Sequence, residues 1–146
     1  MTMVAQLVNR EQSPQKLFGA VGRKQYVNTE VVATIPRQAP AGVADNEPMV
    51  FFELDLSERG GWISDTDLEK EYGARGLVAD PYYQFNVNRE NPELADEYPN
   101  ACHWKDADYK WWFAVFGWGG GERCVRVGRS STGWGEFWWF AGRHEG

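Results

Sequence analysis

"YKWWFAVFGWGGGERCVRVGRSSTGWGEFWWFAG", residues 109–142, carries six of the chain's eight tryptophans. Within residues 110–118, Trp111, Phe113 and Val115 alternate with Trp112, Ala114 and Phe116. A period of two with both sets apolar is the pattern of a strand covered on both faces. Residues 122–129 are mixed, with Val125 and Val127 opposing Cys124 and Arg126, and residues 134–141 set Phe137 and Trp139 against Trp138 and Phe140. Gly119-Gly120-Gly121 and residues 130–133 are short, glycine-rich connections, which predicts two hairpins and an antiparallel three-stranded meander.

Outward from that stretch, "YYQFNVN" at 82–88 alternates Tyr83, Phe85 and Val87 with Gln84, Asn86 and Asn88 and reads as a further strand. Asn91-Pro92 fits an N-cap followed by a first-turn proline, giving one or two helical turns before Pro99; the rest of 88–110 reads as a long loop. Ser64 and Asp67 have capping-box spacing, predicting a short helix over 65–72 closed by Gly73. "MVFFELDL" at 49–56 alternates as a half-buried strand. The β-branched run at 26–35 predicts another strand, ending at Pro36, and the proline-punctuated 36–48 a surface loop.

Five strands without long intervening helices give a mainly β fold, α+β at its margin. The specific expectation is a small antiparallel β-sandwich or open barrel with a C-terminal meander and one or two short helices. Residues 1–25 are expected to be an N-terminal arm or short helix, and residues 26–146 a single β-rich domain, a natural size for one core.

Fifteen Lys and Arg stand against 21 Asp and Glu, a formal charge of −6, which argues against nucleic acid or an anionic membrane as partner. Arg10 and Glu11 interrupt the N-terminal apolar run, and no stretch reaches membrane-spanning length, so a cytoplasmic protein, or one assembled in the cytoplasm, is expected. Two cysteines agree with a reducing compartment; a single Cys102–Cys124 disulfide stays open.

Cys102, His103, Cys124 and His144 exhaust the chain's cysteines and histidines and form the one conceivable zinc or cysteine-nucleophile set. Adjacent Cys-His is not the usual ligand spacing and no catalytic-cysteine signature surrounds either thiol, so no metal, cofactor or catalytic residue is expected. Glu53 and Asp55 share a strand face and read as its solvent side. "GWGGGE" at 117–122 lacks the lysine and hydroxyl of a phosphate loop, and "GRSSTG" at 128–133 reads as a turn before an anion site.

The aromatic residues remain. Trp111, Trp112, Trp118, Trp134, Trp138, Trp139 and Phe18 are the interface candidates, because tryptophan is both a core filler and the leading hot-spot residue. The expected function is a non-enzymatic structural or interaction protein that docks into a larger assembly, such as a viral or phage particle, through an aromatic sheet and its arm. Its partners would be proteins, copies of itself included. A small acidic inhibitor or adaptor of one protein target, such as a phage anti-defence protein, is one alternative. A carbohydrate- or small-molecule-binding module is the other.

Overall fold

The computed structural model describes residues 2–4, 10–19, 21–27, 29–40, 42–44 and 46–145, with the backbone alone at 2–4 and 29. The strands are β1 (Thr2–Val4), β2 (Lys24–Val27), β3 (Met49–Phe52), β4 (Leu77–Val78), β5 (Asn100–Lys105), β6 (Trp111–Gly119), β7 (Glu122–Arg129) and β8 (Trp139–His144). The helices are α1 (Pro14–Gly19), α2 (Thr29–Val32), α3 (Asp65–Ala74), α4 (Pro81–Glu90) and α5 (Leu94–Glu97). One open sheet runs β1-β3-β8-β5-β6-β7-β2, with β4 pairing to β8 beside that path. It is mixed: β2 with β7 and β5 with β8 are parallel, the other pairs antiparallel.

The doubly apolar β6 is explained by layers on both sides. Ala114 and Phe116, with Val125 and Val127 of β7, pack on Leu17, Phe18, Val31, Val32, Tyr82 and Phe85 from α1, α2 and α4. Val115 and Phe113 turn the other way, joining Leu68 and Tyr72 of α3, Trp134 and Phe140. The glycine turn forms as expected, with Gly120 and Gly121 at φ 62° and 81°.

Four expectations need correction. Residues 82–88 are helical, inside α4: Asp80 accepts the Tyr83 amide at 3.2 Å and Pro81 opens the first turn. Its apparent alternation is a helix buried on all sides, with Tyr82 and Phe85 in one core cluster and Tyr83 and Val87 in another. Its polar residues are buried too: Asn88 and Gln84 donate to Asn100 Oδ1 of β5 at 2.9 and 3.1 Å. The β-branched run at 26–35 is strand only to Val27; α2 then places Val31, Val32 and Ile35 on one core-facing side.

The meander is a two-stranded hairpin. β8 does not pair with β7 but crosses β6 and β5 in the sheet order to lie between β3 and β5. The turn expected at 130–133 is the start of that crossing, pinned by the Ile63–Trp134 bridge. Residues 100–105, read as loop, are β5, between β8 and β6 in the sheet and buried except at Lys105.

Candidate functional site

β5 and β8 pair at only two positions, Asn100 with Trp139 and Ala101 with Phe140. Past these the ladder ends, and β4 pairs with Arg143 and His144 of β8 instead. Tyr72 of α3 fills the parting, its hydroxyl donating to Ala141 O at 2.8 Å. A crevice of about 650 Å³ opens at this end of the sheet, off the carboxyl ends of the parallel pair. Such a position is where open sheets containing parallel strands commonly bind ligands, and the volume suits a small molecule.

Its lining is mostly apolar, with Pro36, Ala39, Pro40, Leu77, Val78, Ala79 and Pro81, and it also carries Tyr72, His103, Lys105 and Trp111 and the polar Gln38, Glu69 and Glu145. The His103 ring, 2% exposed, lies between Trp111 (centroids 4.2 Å apart, 18° between planes) and Tyr72 (5.5 Å, 20°). Its Nδ1 is 2.8 Å from Asp65 Oδ1. Asp65 also accepts the Trp134 indole N–H at 2.7 Å and the Ser130 hydroxyl.

Local sequence explains why Asp65 is available. It occupies the first turn of α3, where Ser64 caps the helix by accepting the Asp67 amide at 3.2 Å, and the helix dipole favours a carboxylate there. Burial pushes its carboxyl up, but the three donors more than offset this and hold it below the ordinary carboxylate range. An ionised Asp65 is acceptor-only, so His103 Nδ1 carries a proton, and in the neutral imidazole Nε2 then keeps its lone pair. Among the described residues no hydrogen bond reaches Nε2.

Lys105 lies two residues along the same strand face. Its Nζ is 4.7 Å from the Trp111 ring centroid and only loosely paired with Glu69, at 4.0 Å. Asp80, which also lines the crevice, is committed elsewhere, accepting Arg10 at 2.7 Å and Arg143 at 3.0 Å.

The structure disperses the seven aromatic interface candidates. Phe18 is core, against Phe85, and Trp134 is the buried donor to Asp65. Trp112 donates to Asp106 at 2.8 Å and packs on the core, while half-buried Trp139 meets Tyr98 edge-on. Trp111 belongs to the crevice. Trp118 and Trp138 line one hollow of about 270 Å³ with Phe137, and Trp138 also meets Trp134 edge-on at 6.3 Å; Trp118 is 56% and Phe137 68% exposed.

Cys102, His103, Cys124 and His144 do not converge, and no group of three or more potential metal ligands exists among the described residues. Both cysteines are free and buried, so they do not pair. Ser130 of the expected turn serves Asp65. Glu53 is exposed, and Asp55 folds back to accept the Ser57 amide at 3.0 Å. No helix among the described residues is long and apolar enough to cross a membrane. Sequence reading missed Asp65, Tyr72 and Lys105 as site residues. The available signal was that His103 is the one histidine distant from the C-terminus. Comparison with protein-family models, curated proteins and solved structures finds no match.

Proposed function

We propose that the protein binds a small organic molecule in the crevice where β5 and β8 part, with His103 Nε2 as the hydrogen-bond acceptor at its floor. The observation that carries this reading is the orientation of His103. A buried carboxylate with three donors and two stacked rings hold the imidazole by its Nδ1 edge and both faces, and His103 is among the residues that line a cavity of ligand size. Such a polar arrangement inside apolar walls is the composition of ligand sites. Ligand-observed NMR screening of small aromatic and heterocyclic fragments tests it. Hits that compete with one another and are lost in Trp111→Leu support the reading. Hits that persist in that variant, or an absence of hits, count against it.

A protein-docking role has a separate observation in its favour. Exposed Trp118 and Phe137 flank half-buried Trp138, the Trp118 indole and Arg123 guanidinium both held by Asp96 at 2.7 Å. The 270 Å³ hollow shares Val115, Arg126 and Trp138 with another of about 220 Å³, extending this surface along the β6–β7 face. In this second reading the group is the hot spot of an interface with a protein partner or another copy of the chain, in an assembly or as an inhibitor or adaptor. Native mass by light scattering across concentration, for the wild type and Phe137→Ser, tests self-association: a concentration-dependent mass lost in the variant supports it.

A further inference from the structure

Resting on the small-molecule reading, we propose that His103 acts as a general base toward a planar hydroxylated aromatic acid whose anionic group pairs with Lys105.

The hydrogen-bonding pattern supplies the base. Asp65 occupies Nδ1 at 2.8 Å, so Nε2 is the atom that accepts a proton. The imidazolium produced lies between the π faces of Trp111 and Tyr72 with the Asp65 carboxylate behind it, so the charge is met without water. Cys102, the neighbouring thiol, is no competitor as base: burial drives its titration strongly upward and keeps it a neutral thiol.

The two side chains supply the ligand class. His103 and Lys105 are two residues apart on one strand face and both lie against Trp111, the imidazole stacked at 4.2 Å and Nζ 4.7 Å from a ring centroid. A ligand that meets both carries a hydroxyl for the imidazole and an anionic group for the ammonium on a flat frame that fits beside the indole. Lys105 is partly exposed and its only ion pair is 4.0 Å long, so exchanging Glu69 for a ligand carboxylate costs little. The lining also offers Pro36, Pro40, Ala79 and Pro81, apolar surface against which a ring can pack.

The step is a proton transfer. The ligand O–H bond breaks, its electron pair stays on oxygen, and the Nε2–H bond forms, giving phenolate and imidazolium. No co-reactant is consumed, and the proton leaves by the reverse transfer or to solvent. This activates the ring oxygen.

The probe is 4-hydroxy-3-nitrobenzoate, whose phenolate absorbs visible light where the phenol does not. It is titrated with wild-type protein at a pH where the free probe's phenol is mostly protonated, with fluorescence quenching as an independent readout of binding. A saturable phenolate band in the wild type is expected. His103→Gln should bind without the band, and Lys105→Met should weaken binding about tenfold, the effect of losing roughly 1.4 kcal/mol. Quenching without a band in the wild type, or a band that survives in His103→Gln, overturns the base while leaving the binding crevice standing. No quenching at millimolar probe overturns this ligand class; the fragment screen then decides whether the crevice binds anything else.

Discussion

Replacing Asp65 by asparagine exchanges an acceptor-only carboxylate for an amide while nearly preserving shape. The His103 Nδ1–H and Trp134 Nε1–H bonds, both to Oδ1, survive as neutral bonds, and the Ser130 hydroxyl can rotate to accept from the new NH₂. Hydrogen bonds to an ion contribute about 1.5–3 kcal/mol and neutral ones about 0.5–1.5, so demoting two costs about 2–3 kcal/mol. For a chain of this size that lowers Tm by about 4–12 °C. Asp65→Ala, which leaves buried donors unpaired, should cost about 3–5 kcal/mol. Thermal unfolding followed by circular dichroism measures both. The pH dependence adds a sign. The folded carboxyl titrates below its ordinary value, so its stabilisation is complete above that value and is lost as pH falls through the folded one. The gap between wild type and Asp65→Asn should therefore narrow below about pH 4. An Asp65→Asn protein that melts within about 1 °C of wild type at neutral pH would refute the assignment of Asp65 as the anchor of this cluster.

Burial raises the titration of both Cys102 and Tyr72. Their contribution to stability is complete below the unfolded-state values and is lost as pH rises, so unfolding free energy should fall from about pH 9 upward, less steeply in Cys102→Ala. A thiol reagent should label neither buried cysteine rapidly in the native protein and both in denaturant; fast native labelling of Cys102 would contradict the burial of β5, and of Cys124 that of β7. At Gly142 an added Cβ would meet Tyr72 Cε1 at 2.8 Å, so Gly142→Ala should cost about 1–3 kcal/mol in denaturant titration by pushing Tyr72 from the parting of β5 and β8. Phe137→Ser should leave the unfolding free energy within about 1 kcal/mol of wild type, since the ring is 68% exposed; a larger loss would make it core.

The parts of this molecule that were legible in sequence are those where pattern and environment agree. The Gly120-Gly121 turn, β6, β7 and the Ser64-capped helix follow from local chemistry, and the strand beginning at Met49 appears where alternation places it. Reading failed where polar residues are buried. Gln84, Asn86 and Asn88 looked like the solvent face of a strand, but they are buried in α4, and Gln84 and Asn88 bond Asn100. β5 has Asn100 and His103 buried among apolar neighbours, so it shows neither clean alternation nor a continuous apolar run. The local mark of α4 is the Asp80-Pro81 pair, an N-cap followed by a first-turn proline, a signal that sequence reading missed.

The site was illegible for a related reason. Asp65 and His103 are 38 residues apart, and Ser130 and Trp134 are farther still from Asp65; they meet because β8 leaves the hairpin and crosses the sheet. Nothing local in 130–138 distinguishes that crossing from a third meander strand. The aromatic richness was real but was not one surface: Trp112 packs on the helical core, Trp111 lines the crevice, and Trp134 is a hydrogen-bond donor in the core.

The central claim is that Asp65 holds His103 with its proton on Nδ1 and its Nε2 lone pair open to the crevice. Long-range ¹H–¹⁵N correlation NMR of ¹⁵N-histidine-labelled protein reads this directly, with His144→Gln leaving His103 as the only signal. The neutral ring should show a protonated Nδ1 and an unprotonated Nε2, and the Nε2 shift should move when 4-hydroxy-3-nitrobenzoate is added. A neutral ring with its proton on Nε2, or one indifferent to the ligand, would contradict the account.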